Sequence, residues 1–131
     1  PDPMPVPTSG SMTIFAPATP AGRSGVAVLR VSGPLGLESL RALSGGAPDP
    51  APRHATLRRL RDPVTGREID CALVLYFAAP ASFTGEDCIE YHLHVGPAIM
   101  KMMLNLLAQQ PLHRMAEPGE FTRRAFENGK M

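Results

Sequence analysis

The chain has 131 residues, the length of one domain with a modest core, and 44% of them are apolar while 19% are charged. Its formal net charge of +1 excludes the strong basic excess of proteins that bind nucleic acid by themselves. Two cysteines outside any C-x-x-C motif argue against a disulfide framework, and no apolar run approaches the roughly 20 residues of a membrane span. The composition predicts one soluble, turn-rich domain in the cytoplasm.

The N-terminal part predicts a leader, two strands and a helix. Residues 1–12 are rich in proline and small polar residues, so we expect a flexible extension before a domain that spans residues 13–131. A short TIFA strand opens the domain. After the loop PATPAGRSG, the β-branched run from Val26 to Val31 is typical of a central strand, with Arg30 as its single charge. SGPLGLESLRALSGG then predicts a helix capped by Ser32 or Gly33, with an apolar stripe of Leu37, Leu40 and Leu43.

The middle of the chain predicts a hairpin and a third long strand. The hairpin turns at DPVTGRE, and EIDCALVLYF is its more buried member. The arginine-rich segment from Arg53 to Arg67 is interpreted as a solvated strand face, with contact to an anionic partner as the alternative. The turn PASFTGED, in which Thr84 and Asp87 are expected to cap backbone groups, leads into a strand from Cys88 to Val95.

Side chains on that last strand alternate between two faces. One face is apolar and is expected to point to the core; it consists of Ile89, Tyr91, Leu93 and Val95. The other face carries chemical groups; it consists of Cys88, Glu90, His92 and His94.

The C-terminal part predicts two helices around a short strand. GPAIMKMMLNLLAQQP predicts a helix bounded by Pro97 and Pro111, whose methionines fill the core. LHRMA predicts a strand, and EPGEFTRRAFENGKM a helix that stops at Gly129. Glu120 and Arg124, four residues apart on that helix, are expected to form an ion pair. Strands and helices alternate without a regular βαβ repeat, which predicts an α+β domain with a mixed sheet.

Three interpretations compete for the polar face of the Cys88–Val95 strand: a metal site, a solvated face, or one wall of a ligand pocket. Imidazole, carboxylate and thiol are all ligands that zinc accepts. Same-face neighbours on one strand lie about 6.5 to 7 Å apart, so these residues cannot all reach one ion. A metal-binding domain that uses His92 and His94 therefore stays an alternative. The sequence contains no P-loop, G-x-G-x-x-G or G-x-S-x-G motif, and we assign no catalytic residue.

Two charged residues interrupt apolar runs. Arg30 and Glu90 would each lose hydration in a central strand, which is costly without a compensating partner. Either they pair with each other, or they face a cleft. In a cleft, a carboxylate can accept two parallel hydrogen bonds from a flat heterocycle with an N–H and an amino group, while arginine binds an anionic or carbonyl group. The residues alone leave both interpretations open.

Three separated segments resemble one known family. TIFAPATPAGRSGVAVLRVSG, PASFTGEDCIEYHLHVGP and EPGEFTRRAFENGKM, in this order, resemble the N-terminal domain of the MnmE (TrmE) tRNA-modification GTPases. The resemblance implies the folate-binding fold of the glycine-cleavage T protein, a homodimer, and a bound tetrahydrofolate derivative, in its 5-formyl or 5,10-methylene form. The family's helical and GTPase domains, which use GTP, magnesium and potassium, are not expected in this chain, so the chain alone should not hydrolyse GTP.

The resemblance also implies a role for the whole protein and a set of ligand contacts. With a flavin-dependent partner, MnmG, the family builds an aminomethyl-type group at carbon 5 of wobble uridine in tRNA. Its folate contacts fall on Arg30, Glu90 and Lys130 of this sequence. Leu93 and Val95 occupy positions that are commonly glycine in the family, which indicates either a pocket reshaped or narrowed there or a change in the strand ending alone. A structural dimerisation module with a degenerate pocket is the remaining alternative.

Overall fold

The computed structural model describes residues 12–18 and 25–131, and most of the predicted N-terminal extension lies outside them. Within these residues the chain forms six strands and three helices. In chain order they are β1 (Thr13–Pro17), β2 (Val26–Ser32), α1 (Gly36–Leu43), β3 (Thr56–Arg61), β4 (Glu68–Phe77), β5 (Cys88–His94), α2 (Pro97–Ala108), β6 (His113–Met115) and α3 (Glu120–Glu127).

The strands of the described residues form one mixed sheet in the order β3-β4-β5-β2-β1-β6. All neighbours are antiparallel except β1 and β6, which are parallel. The predicted α+β fold with a mixed sheet is therefore confirmed. Strands β2 and β5 lie at the centre, and their register places Arg30 directly opposite Glu90. Two charged residues that are 60 positions apart in the chain thus become cross-strand neighbours.

Helices α1 and α2 cover one face of the sheet and enclose the core. The predicted alternation on β5 is confirmed for Ile89, Tyr91 and Leu93, which are fully buried on this face. It is wrong for Val95, which lies beyond the end of the strand and is exposed. Leucines of both helices and Met103 of α2 fill the space above the sheet, as the apolar stripes predicted.

Helix α1 starts later than the sequence predicts. Its N-cap residue is Leu35 instead of Ser32 or Gly33, and no side chain of its own segment caps it. Instead, the hydroxyl of Thr13 in β1 accepts the Leu35 N–H at 2.9 Å. Gly33 lies against the same threonine, where an added Cβ would stand 2.6 Å from its Cα atom. The prediction failed because the Ser32 hydroxyl bonds to the side chains of Thr84 and Glu86 and does not cap the helix.

Helix α3 is held by a buried group of charges that we call the α3 cluster: Glu86, Arg114, Glu120 and Arg124. The carboxylate of Glu120 accepts two parallel bonds from Arg114, at 2.7 and 2.6 Å. Arg124 donates to Glu86 at 3.0 Å and to Glu120 at 3.3 Å, and also to the Met12 carbonyl at 2.8 Å. The predicted Glu120–Arg124 pair is confirmed, but it lies in the interior and joins α3 to β1, β6 and the turn before β5.

Candidate ligand-binding site

The site is built on the sheet face opposite the core. Arg30 of β2 donates to one oxygen of Glu90 in β5, with Nη2 at 3.1 Å and Nε at 3.3 Å from Oε2. The two residues therefore do pair, as one of the two interpretations predicts. Their side chains nevertheless keep 30% and 20% of their surface exposed, so the pair borders solvent and is not sealed in a dry interior.

A hollow of about 90 Å³ opens beside this pair. We call it the Glu90 hollow; its lining residues are Arg30, Phe77, Phe83, Cys88 and Glu90. Pockets that enclose a whole drug-sized ligand measure about 300–1,000 Å³. The Glu90 hollow therefore has room for one edge of a ring system, with the rest of a ligand outside it.

One oxygen of the Glu90 carboxylate, Oε1, receives no hydrogen bond from Arg30. Both arginine bonds fall on Oε2. The Nε2 atom of His92 lies 3.4 Å from Oε1, which is beyond ordinary hydrogen-bond length, and this buried nitrogen has no hydrogen-bond partner among the described residues. An oxygen of the partly exposed Glu90 carboxylate and a buried imidazole nitrogen thus face each other without a hydrogen bond between them.

Two aromatic rings flank the arginine. The Cζ atom of Arg30 lies 5.6 Å from the centre of the Phe83 ring and 6.0 Å from that of Phe121. Both distances suit a cation–π contact, which keeps the guanidinium in place. Sequence reasoning missed both phenylalanines, although each lies inside a segment that carries the family resemblance.

The turn before β5 positions Phe83. The Thr84 hydroxyl accepts the Glu86 N–H at 3.2 Å, and the Asp87 carboxylate accepts the Ala79 N–H at 2.9 Å, so the predicted backbone caps are confirmed. Gly85 has φ +83°, and an added Cβ would stand 2.9 Å from the Asn128 Cβ. This close approach lets the residues after α3 pack on the turn.

Lys130 is not brought to the Glu90 hollow. It lies beside the same turn, where its Cγ is 3.4 Å from the position of a Cβ added to Gly85. Its ammonium group has no ion pair with a described residue. Nearby, the Asn128 side chain donates to the Thr84 carbonyl at 2.8 Å and holds the end of the chain there. Of the three predicted contacts, Arg30 and Glu90 line the Glu90 hollow, and Lys130 lies outside it beside Gly85.

The two histidines of β5 point to different partners. His92 faces Glu90, whereas the His94 Nδ1 atom lies 2.8 Å from a carboxylate oxygen of Asp70. Within the two described ranges, no three His, Cys, Asp or Glu side chains are arranged to hold a metal ion. The metal alternative therefore lacks structural support.

The two departures from the family pattern do not narrow the Glu90 hollow. Leu93 is fully buried in the core on the opposite face of the sheet. Val95 follows β5, and neither residue lines the hollow. Alternation along the strand directs Leu93 away from the Glu90 hollow, and the reshaping of a folate pocket at these positions stays a prediction.

A second feature of the same face is apolar. Leu57, Leu73 and Val26 keep 60%, 46% and 42% of their surface exposed. They border a groove of about 360 Å³, which we call the apolar groove; its lining residues are Val26, Leu57, Cys71, Leu73, His92, Leu93 and His94. The apolar groove is therefore a candidate interaction site.

The α+β fold with a mixed sheet fits one family. The chain matches the family described as "GTP-binding protein TrmE N-terminus" over residues 13–130, and it belongs to that family. It is 56% identical over 119 residues to the tRNA modification GTPase MnmE of Parvibaculum lavamentivorans, covering 91% of this chain and 27% of that protein. It is 53% identical over 127 residues to the mitochondrial 5-taurinomethyluridine-[tRNA] synthase subunit GTPB3 of Homo sapiens, covering 97% and 26%.

The chain thus spans about a quarter of the length of these relatives. None of the helices in the described ranges combines the length and the hydropathy needed to cross a membrane.

Proposed function

We propose that residues 13–131 form the folate-binding and dimerising domain of a tRNA-modification GTPase. The whole protein would work in the cytoplasm with the flavin-dependent MnmG partner and install an aminomethyl-type group at carbon 5 of wobble uridine. Family membership and the names of the relatives support the tRNA-modification part. The ligand part rests on the residues of the Glu90 hollow.

The observation that carries the ligand proposal is the unused acceptor capacity of Glu90 beside an open hollow. A reduced pterin presents an N–H and an amino group along one edge, and a carboxylate can accept both. Arg30 already neutralises Oε2, so Oε1 is the atom that gains most from a new donor. The size of the hollow suits that single edge of the ligand.

The surrounding residues supply the remaining contacts of the proposal. Phe83, which is about half exposed, offers a flat apolar wall for the ring. Arg30 and Lys130 supply positive charge for the polar groups or the glutamate tail of a tetrahydrofolate derivative, in its 5-formyl or 5,10-methylene form. When bound, the reduced pterin supplies the one-carbon unit, and the protein positions it.

The test is a calorimetric titration of the chain with 5-formyltetrahydrofolate. Substitution Glu90→Ala should abolish binding while the fold stays intact, because Glu90 borders solvent and packs no core. Glu127→Ala removes an exposed carboxylate on α3 and serves as the matched control, with unchanged affinity expected. Wild-type affinity in Glu90→Ala would remove Glu90 from the site.

A thermal melt separates this proposal from a dimerisation module with a degenerate pocket. A ligand at 100 times its dissociation constant adds about 2.7 kcal/mol of stability when it binds only the folded state. The folate-binding domain should therefore melt at a higher temperature in excess ligand. A module without a working pocket would show no shift.

The homodimer part of the proposal is supported by the apolar groove. The exposed leucines that border this groove can be buried by a second copy of the chain. Leu73→Asp should convert a dimer to a monomer in analytical ultracentrifugation, because it places a charge in the buried interface. Val64→Asp changes an equally apolar, more exposed residue in the β3–β4 turn and should leave the dimer unchanged.

A further inference from the structure

The positive charge of the chain is concentrated in one segment. Residues 53–67 contain five arginines and one aspartate, which gives +4, whereas the whole chain carries +1 and the other residues therefore sum to −3. We call the five residues the arginine edge: Arg53, Arg58, Arg59, Arg61 and Arg67. A small net charge over the whole chain hides this asymmetry.

The fold places the arginine edge along the border of the sheet. Strand β3 begins the strand order and pairs only with β4 among the described residues. Three of the arginines lie on β3, one precedes it, and one follows in the turn to β4. Four of these side chains are exposed and therefore available to a partner, and Arg58 is half-buried.

Arginines elsewhere in the described residues are all neutralised by a carboxylate. The pairs are Arg30–Glu90, Arg41–Asp49, Arg114–Glu120, Arg123–Glu127 and Arg124–Glu86. Among carboxylates of the described residues, one lies within ion-pair range of the arginine edge: that of Glu68, 3.8 Å from Arg59. The acid of the segment, Asp62, accepts backbone N–H groups of its own turn at 2.8 and 3.3 Å. The exposed Arg53, Arg61 and Arg67 therefore keep a positive charge that no carboxylate of the described residues neutralises.

Two members of the edge are held in place by uncharged groups. Arg58 donates to the Pro48 carbonyl at 2.7 Å and to the Leu57 carbonyl at 3.1 Å. The Cζ atom of Arg53 lies 5.7 Å from the centre of the Phe77 ring, and Phe77 also lines the Glu90 hollow. These contacts orient the two guanidinium groups without cancelling their charge.

We propose that the arginine edge binds the phosphate backbone of RNA. Guanidinium groups match phosphate oxygens in pairs, and a row of them along a strand suits a chain of phosphates better than one isolated anion. RNA is favoured over an anionic membrane because the relatives are named for tRNA modification. The inference rests on that part of the proposed function and is independent of folate binding.

The test measures fluorescence anisotropy of a labelled tRNA transcript titrated with the chain at several salt concentrations. The variant Arg53→Gln, Arg61→Gln, Arg67→Gln should weaken binding about ten- to hundredfold and lower the salt slope by about 2 to 3, since each residue loses one phosphate contact. The control variant Arg41→Gln, Lys101→Gln, Arg123→Gln removes the same charge from exposed positions elsewhere and should bind like wild type.

Circular dichroism and the folate titration accompany both variants. The proposal is supported if both variants bind folate like wild type and only the first variant loses tRNA affinity. Equal tRNA affinity of both variants overturns it, as does wild-type chain that binds vesicles of phosphatidylserine and phosphatidylcholine but no tRNA. Aggregation of the first variant with undiminished tRNA affinity would also overturn it and would assign the arginines to protection of the sheet edge.

Discussion

The Arg30–Glu90 pair and the α3 cluster both join arginine to glutamate, but they differ in how deeply the glutamate is buried and in how many of its hydrogen bonds are made. In the α3 cluster the Glu120 side chain has no exposed surface and receives bonds from two arginines. Glu90 borders solvent, receives arginine bonds on one oxygen only, and lies beside a hollow. A buried carboxylate needs all its partners to repay its lost hydration, whereas a half-exposed one can keep an oxygen for a ligand. Burial therefore separates the structural pair from the candidate site.

The largest effect is expected in the α3 cluster. Glu120→Ala leaves Arg114 and the buried Arg124 without their shared carboxylate, and breaking such a pair costs about 3–5 kcal/mol. Urea unfolding of the variant should show this loss of unfolding free energy. Glu127→Ala, which breaks only an exposed pair with Arg123, should cost less than about 1 kcal/mol. Equal losses in the two variants would contradict the structural role of the cluster.

The pH dependence of the unfolding free energy should contain a contribution from the Glu120 carboxylate. Hydrogen bonds from Arg114 lower the pKa of Glu120 from 4.5 to about 2, against the opposing effect of burial. A lowered pKa in the folded state means that its stabilisation is present above about pH 4.5 and is lost as the pH falls toward 2. The unfolding free energy of wild type should therefore drop across that window. Glu120→Gln, already destabilised, should lack this component of the slope, and an unchanged slope would be evidence against the assignment.

Removal of the Tyr91 hydroxyl should raise the unfolding free energy, in contrast to removal of the Glu120 carboxylate. The hydroxyl of Tyr91 lies in the core without a hydrogen-bond partner among the described residues. Tyr91→Phe removes a hydroxyl that loses its hydration on folding and gains no hydrogen bond in return, so we expect the unfolding free energy to rise by about 1 kcal/mol. Tyr76→Phe removes a hydroxyl that donates to Asp87 at 3.3 Å and should not stabilise. Thermal unfolding of both variants measures the contrast.

The smallest effect on stability is expected at the candidate site itself. Arg30→Gln disrupts a half-exposed pair, so the unfolding free energy should fall by no more than about 1 kcal/mol. Folate affinity should fall strongly in the same variant, because the carboxylate loses its fixed partner. A loss of stability as large as that of Glu120→Ala would place Arg30 with the structural charges and not with the ligand site.

Much of the fold follows from local patterns. Alternation identified the buried face of β5, turn residues marked the hairpin between β3 and β4, and apolar spacing located α2 and α3. The start of α1 could not be found this way, because the Leu35 N–H bonds to Thr13 of a different strand and the Ser32 hydroxyl bonds to Glu86. Likewise the burial of Glu120 depends on Arg114 and on the turn before β5, which helical spacing does not report.

The sequence by itself determined which residues alternate, where the chain turns, and which family it belongs to, because these depend on neighbours within a few positions and on motifs. Only the tertiary structure decided that Arg30 stands opposite Glu90, that a hollow and two phenylalanine rings adjoin them, and that Lys130 stays at the margin. Pairing between strands sets those neighbours. The strand order brings together residues 60 positions apart, and no local periodicity encodes that distance.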